Sequence, residues 1–255
     1  MAEEKQTAII IGGTSGLGRQ IAIQCLARGI QPFILGPNVE RIPQDQALDG
    51  AEGFYLNFQF LGSWAHNYYE FRKRLTPKQV SHIFWVSGIP QSSPFLQLEN
   101  QELEELTAIH LNGPLQVLRD IFRELVSVGR PIHFVAISST SAFKRRDGEE
   151  VYCAVQSAKA MFAAQMAGTL EKELPGSQVS LVMPGGMNTP FWRGSGKETA
   201  KFMDPAVAAS FVVGLTLDNQ KVYRDLGNFQ SYTIERLSNG TAQLDIREPN
   251  AQQLF

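Results

Sequence analysis

Thr7–Gly18, TAIIIGGTSGLG, joins an unbroken apolar run to a cluster of glycines and then to a helical pattern. Ala8, Ile9, Ile10 and Ile11 do not alternate with polar residues, which is how a strand covered on both faces of a parallel sheet reads. Gly12, Gly16 and Gly18 follow at G-x-x-x-G-x-G spacing, where missing side chains let the backbone turn tightly and approach a ligand. Ile21, Cys25 and Leu26 then share one face of a predicted helix, whose free N–H groups and positive dipole end point back at the glycines. Strand, glycine turn and helix in this order make a seat for an anion, and a dinucleotide pyrophosphate is its usual occupant.

Beyond that stretch, strand and helix patterns alternate. Gln31–Leu35, Gly53–Asn57, His82–Ser87, Pro131–Ser138 and Gln178–Met183 read as strands. Trp64–Leu75, Glu99–Asn112, Pro114–Val128, Val151–Leu174 and Asp204–Leu217 read as helices, the fourth of them stopped by Pro175-Gly176. Alternation of this kind predicts one doubly wound parallel sheet with helices on both faces. Ligands on such sheets bind at the carboxyl ends of the strands, so the stretches after Ile11, Leu35, Asn57, Ser87, Ser138 and Met183 should meet in one site. Tyr232–Ile246 reads as a terminal hairpin, because Asn239-Gly240 favours a type I′ turn.

Composition narrows the function classes. The chain has 255 residues, 43% hydrophobic and 19% charged, which suits a single α/β domain over residues 1–255. A net charge of −2 gives no reason to expect nucleic acid as a partner. Met1–Gln6 has no apolar core, and no apolar run is long enough for a bilayer, so a cytoplasmic protein without a membrane partner is expected. Cys25 and Cys153 fit neither a disulfide framework nor a zinc site, and His66, His82, His110 and His133 lack ligand spacing, so no metal is expected.

Ser139 lies just past the fifth strand, and Tyr152 opens the following helix thirteen residues later. With the Gly12–Gly18 loop, the Ser138-Ser139 pair and PGGMNT at Pro184–Thr189, this resembles the short-chain dehydrogenase/reductase family over roughly Thr7 to Trp192. The resemblance implies a Rossmann-like fold with an atypical C-terminal segment from 204 to 255. It also implies an NAD(P)(H) cofactor and Tyr152 passing a proton to or from a substrate oxygen that Ser139 holds. By the same likeness Gly12, Thr14, Ser15, Gly16, Leu17 and Gly18 would cradle the pyrophosphate. Ser87 and Gly88 would line the cofactor's path, and Pro184, Gly185, Met187 and Thr189 would meet the nicotinamide carboxamide. Pairing into a homodimer or homotetramer is implied too.

Three positions depart from the family pattern. Four residues after Tyr152, where the family has a lysine that grips the nicotinamide ribose and lowers the tyrosine pKa, stands Gln156. Glutamine can bond a ribose but brings no charge to a phenol that ordinarily titrates near ~10. Lys159, at +7, returns to the same helix face, the tyrosine–lysine spacing of the enoyl-reductase branch, and so is a candidate replacement. The alternative reading sends Lys159 to solvent and leaves the site without a cation. His110 occupies the place of the family's catalytic asparagine and could relay a proton near neutral pH, or serve as a structural residue. Trp85-Val86-Ser87-Gly88 replaces N-N-A-G, removing two stabilising amides.

Gly36, Pro37 and Asn38 follow the second strand, where a carboxylate would select NAD and an arginine NADP. Without a carboxylate to repel a 2′-phosphate, and with Arg19 and Arg41 nearby, the reading leans to NADP(H). Asn57 stands at the family's adenine-binding aspartate, with Phe58 placed to stack; a plain strand-end turn is the alternative for Asn57. Substrate contacts are expected from Pro90–Phe95, Lys144–Glu150 and Phe191–Phe202, with Phe191 and Trp192 on an apolar lid over a small carbonyl or alcohol substrate. The function expected is an oxidoreductase working chiefly as a reductase. The alternative is a catalytically weak dinucleotide sensor or partner protein. Cofactor-free chemistry of the halohydrin-dehalogenase kind is disfavoured by the intact glycine loop.

Overall fold

The structure, a computed structural model, describes residues 6–59, 65–217, 228–236 and 242–247. One sheet carries the strand order β3-β2-β1-β4-β5-β6-β7-β8. Its strands are β1 (Thr7–Ile11), β2 (Gln31–Gly36), β3 (Glu52–Tyr55), β4 (Val80–Trp85), β5 (His133–Ile137), β6 (Gln178–Pro184), β7 (Phe229–Arg236) and β8 (Ala242–Arg247). The first seven run parallel and β8 returns antiparallel along β7. The doubly wound sheet and its terminal hairpin are therefore as the sequence predicts. The Asn239-Gly240 turn itself lies outside the described residues.

Both faces of the sheet are covered, which is why β1 shows no alternation. Ile9 and Ile11 pack with Phe71 of α2 (Ala65–Arg74), Leu118 and Phe122 of α4 (Gly113–Val128) and Ala163 of α5 (Glu150–Glu173). Ala8 and Ile10 point the other way, toward Ile21 of α1 (Gly16–Leu26) and Val212 of α6 (Pro205–Leu217). Each fully buried aliphatic side chain contributes roughly 1.5–3 kcal/mol, so the two apolar layers hold the strand ends in fixed register.

One expected boundary is corrected. The helices read as Glu99–Asn112 and Pro114–Val128 form a continuous path: α3 (Asn100–Thr107), a wide π turn over Ala108–Asn112, then α4. Pro114 has no N–H to donate, and the wide turn takes up the missing bond while turning His110 inward. Among the described residues no helix is long and apolar enough to cross a membrane.

At the far end of the strands, His82 and His133 stack with ring centres 6.0 Å apart beneath the end of α6. His82 Nδ1 bonds Ser81 Oγ and His133 Nε2 bonds Ser180 Oγ, both at 2.8 Å. Burial pushes His82 down to about 4 and His133, further opposed by His82, down to about 3. Between about pH 6.5 and those values the unfolded chain binds protons that the folded chain refuses. The contribution of this pair is therefore fully present above about pH 6.5 and is lost as the pH falls toward 4. By pH 5 each histidine is expected to cost about 2 kcal/mol, before most carboxylates protonate. Urea midpoints at pH 7.5 and pH 5 measure this, and equal midpoints would contradict it.

Candidate active site

The carboxyl ends of the strands open into a single cavity of about 960 Å³. The residues expected to be catalytic or to hold the cofactor line it, from Asn38 and Asn57 at one end to Tyr152 and Thr189 at the other, whereas Arg19, Arg41 and residues 91–95 do not. Gly12 (φ +93°) lies so close to β4 that a Cβ would stand 2.6 Å from Ser87 Cα. At Gly18 a Cβ would sit 2.1 Å from the Gly12 carbonyl oxygen, so only glycine closes the turn onto α1. Ser15 is the N-cap of α1 but caps nothing with its side chain, and the first turn holds no acidic residue. The helix N-terminus is thus presented to the cavity, and its length and glycine cradle fit an extended anion such as a dinucleotide.

At the adenine-side end, Thr14 packs against Gly36, and Asn57 closes a turn by accepting from Gln59 N–H at 3.1 Å. Phe58 is 4% exposed and packed on Gly113, which limits its room to stack on a ligand. Arg19 is bound at both ends of its guanidinium by Asp45, at 2.5 and 2.8 Å, and does not line the cavity. That corrects its expected availability to a 2′-phosphate. Leu17 turns its side chain into the core. At the opposite rim Thr189 stands against Gly16, and Met187 is held by a bridge to Met203.

Tyr152 is buried, its ring edge-on to His110 at 5.5 Å and tilted against Phe191 at 5.8 Å. Burial pushes its phenol up to about 12, and Glu149 adds to the rise, while the Ser139 and Gln156 side chains pull it down. Ser139 Oγ accepts from Ser141 N–H at 3.1 Å, which aims the hydroxyl from the end of β5. Ser138, its neighbour, donates instead to the Gln156 carbonyl at 2.9 Å. Phenol and hydroxyl line the same cavity, and Ser139 stands near enough to draw the phenol's pKa down, an arrangement that can hold a carbonyl oxygen and move one proton to it.

His110 is fully buried beside Gly88, where a Cβ would press on its ring. Its Nε2 lies 2.8 Å from the Ile89 carbonyl, and Gln156 Nε2 lies 3.2 Å from Nδ1. The Ile89 N–H also points at Nε2, at 3.0 Å, so that nitrogen faces both a donor and an acceptor and the ring is held neutral in either tautomer. Burial, then the charge of Lys159, pushes its pKa down to about 3. His110 is thus no acid–base relay near neutral pH, contrary to what its residue type suggests; it positions Gln156 and the Tyr152 ring. Gln156 Oε1 is a buried acceptor with no hydrogen-bond partner among the described residues, open to a ligand donor in the cavity.

Lys159 does not run to solvent; it lines the cavity. It is 1% exposed rather than in solvent, and its Nζ donates to Ser87 O at 3.0 Å and Ile137 O at 3.1 Å rather than facing the phenol. The indole ring of Trp85 lies 4.7 Å from Nζ. One ammonium thus ties the ends of β4 and β5, where the two amides of N-N-A-G are missing.

Of the substrate-side stretches, Pro90 lines the cavity while Phe95 lies outside it, half exposed. Phe191, Trp192 and Phe202 form a chain of rings over Tyr152, with Phe191–Trp192 centres 4.8 Å apart and Trp192–Phe202 centres 5.6 Å apart. Lys197 of this segment pairs with Glu149 at the start of α5 and lies 4.3 Å over the Trp192 ring. Lys144 pairs with Glu235 of β7 at 2.5 Å. Gln91, expected among the substrate contacts, instead serves α5: its Oε1 accepts from the Val151 and Tyr152 N–H groups at 2.9 and 3.0 Å, fixing the first turn. A lone glutamine in a loop carries no spacing signal that would have revealed that role.

Comparison with known proteins agrees with this geometry. The family model described as short chain dehydrogenase matches residues 6–200. The 3-oxoacyl-(acyl-carrier-protein) reductase of Buchnera aphidicola is 25% identical over 192 residues, 73% of this chain and 75% of its own. Among solved structures, acetoin dehydrogenase from Enterobacter cloacae superposes with a TM-score of 0.75 at 19% identity, covering 92% of this chain and 95% of that one. A short-chain dehydrogenase from Sphingobium yanoikuyae, solved with NADPH, gives 0.70 at 19% identity over 86% and 90%.

Proposed function

Because the chain belongs to the short chain dehydrogenase family, we propose that this oxidoreductase interconverts a small, apolar carbonyl compound and its alcohol, chiefly as a reductase. The observation that carries the reading is the meeting of the Tyr152 phenol and the Ser139 hydroxyl on the wall of the cavity that begins at the glycine loop. When bound, an NAD(P)(H) dinucleotide supplies or accepts the hydride. Ser139 Oγ–H holds the substrate oxygen, and Tyr152 gives that oxygen its proton. The glycine turn and the bare N-terminus of α1 receive the diphosphate, and the Gln156 amide offers Oε1 to a ribose hydroxyl. The Phe191–Trp192–Phe202 rings exclude water and favour an apolar substrate.

A preference for NADP(H) is supported by the Gly36–Asn38 rim, which carries no carboxylate; Arg41 lies outside the cavity lining, 4.0 Å from Glu40. The reductive direction is supported by the phenol's high pKa. At pH 7 a group titrating at about 12 holds its proton nearly always, so it is ready as an acid and scarce as a base. Titrating NAD, NADH, NADP and NADPH against tryptophan fluorescence tests binding, with Trp192 in the cavity wall as reporter. Initial rates at pH 7 with matched ketone–alcohol pairs test direction. Reduction is expected to exceed oxidation by at least about tenfold, and the reverse order would contradict the reading.

A second reading, a dinucleotide-binding sensor with little turnover, is favoured by Gln156 spending its amide on His110 where a cation would serve catalysis. Tight NADPH binding with no turnover across a broad carbonyl panel is the result that would select it.

A further inference from the structure

We propose that Lys159 is a specificity-determining residue that makes the site prefer the reduced dinucleotide, by opposing the positive charge of the oxidised nicotinamide ring. The inference rests on the oxidoreductase reading above. Lys159 rises from the middle of α5 and lines the same cavity as Tyr152, Ser87 and Thr189. Its partners are two carbonyl oxygens and the face of an indole. Dipoles and a π face solvate an ammonium, but unlike a carboxylate they do not cancel its net charge.

The carboxylates of the cavity are spent elsewhere. Glu149 pairs with Lys197, Glu235 with Lys144, and Asp147 with Arg145. The inner wall therefore carries an uncompensated cation in a region of low dielectric, where a charge acts strongly on whatever enters. A dihydronicotinamide is neutral and an oxidised nicotinamide is cationic, so the same lysine treats the two unequally.

The arrangement also lets the charge be removed without dismantling the contacts. Burial lowers Lys159 to about 7, and a neutral amine keeps two N–H groups for its two carbonyls. The titratable groups on the elements around it do not change state in that range. His110 on the wide turn is pushed to about 3, and Tyr152 on α5 to about 12. His82 on β4 and His133 on β5 face the opposite side of the sheet and are lowered to about 4 and about 3.

The test is calorimetric binding of NADP+ and NADPH to the intact protein from pH 6 to pH 9, read as the ratio of the two Kd values. The adenosine half with its 2′-phosphate is common to both ligands and drops out of the ratio. The oxidised-to-reduced Kd ratio is expected to fall by about tenfold across the range as Lys159 empties. In Lys159→Met the ratio should sit at the low value throughout, and in Lys159→Arg at the high value throughout. If the methionine variant does not fold, the wild-type series and the arginine variant decide. Both ligands binding with a wild-type ratio that is flat in pH would overturn the proposal and leave the oxidoreductase reading intact. Neither ligand binding would overturn both.

Discussion

Replacing Tyr152 by phenylalanine is expected to lower kcat for carbonyl reduction by about 10²- to 10⁴-fold. The same change should leave the dinucleotide Kd within about twofold, because binding shared by ground and transition states is untouched. The substitution removes one hydroxyl and nothing else. The ring keeps its edge contact with His110 and its tilt against Phe191, so the cavity wall is preserved. What disappears is the proton facing the Ser139 and Gln156 side chains. Stopped-flow turnover paired with a fluorescence titration of NADPH separates the two effects. Undiminished turnover would mean that another group protonates the substrate, and His110 is too acidic to be that group at neutral pH.

Gln156→Lys is expected to have the second-largest effect and to act in the opposite direction. The position is 3% exposed and one helical turn from Tyr152, so an ammonium there would favour phenolate. A neighbouring cation lowers such a pKa by about 1–3 units, which multiplies the phenolate fraction at pH 7 by about 10–10³. Alcohol oxidation at pH 7 should rise by a factor approaching that, and its basic limb should move down by the same about 1–3 pH units. Reduction should change little. The variant should also be less stable by about 1–3 kcal/mol, because a second buried ammonium joins Lys159 and the His110 contact is lost. Gln156→Met separates these outcomes, since it loses the contact without gaining a charge. A pH–rate profile for Gln156→Lys that overlays the wild type would refute the account of how the phenol is tuned.

Much of this was legible in the chain because it depends on local pattern. Ala8–Ile11 reads as a strand buried on both faces, and it is fully buried between two apolar layers. The glycines report a steric requirement that no other residue satisfies, as the Gly18 contact with the Gly12 carbonyl shows. The family resemblance singled out Ser139 and Tyr152, and a strand end and a helix start bring both to one cavity. What spacing did not give was direction in depth. Helical periodicity puts Lys159 on the face of Tyr152, but the two strand-end carbonyls that capture its ammonium come from β4 and β5, far away in sequence. The state of His110 depends likewise on burial inside a wide turn, and the residue type alone suggests the opposite. Arg19 looks free in a sequence and is held by Asp45 in space.

Glu235 gives one further consequence. It lies past residue 200, where the family match ends, yet it borders the cavity and anchors Lys144. The cavity wall thus takes a side chain from beyond the matched stretch. Exchanging β7 for a strand without a carboxylate at this position would strip Lys144 of its counter-charge and alter the cavity rim far from the glycine turn.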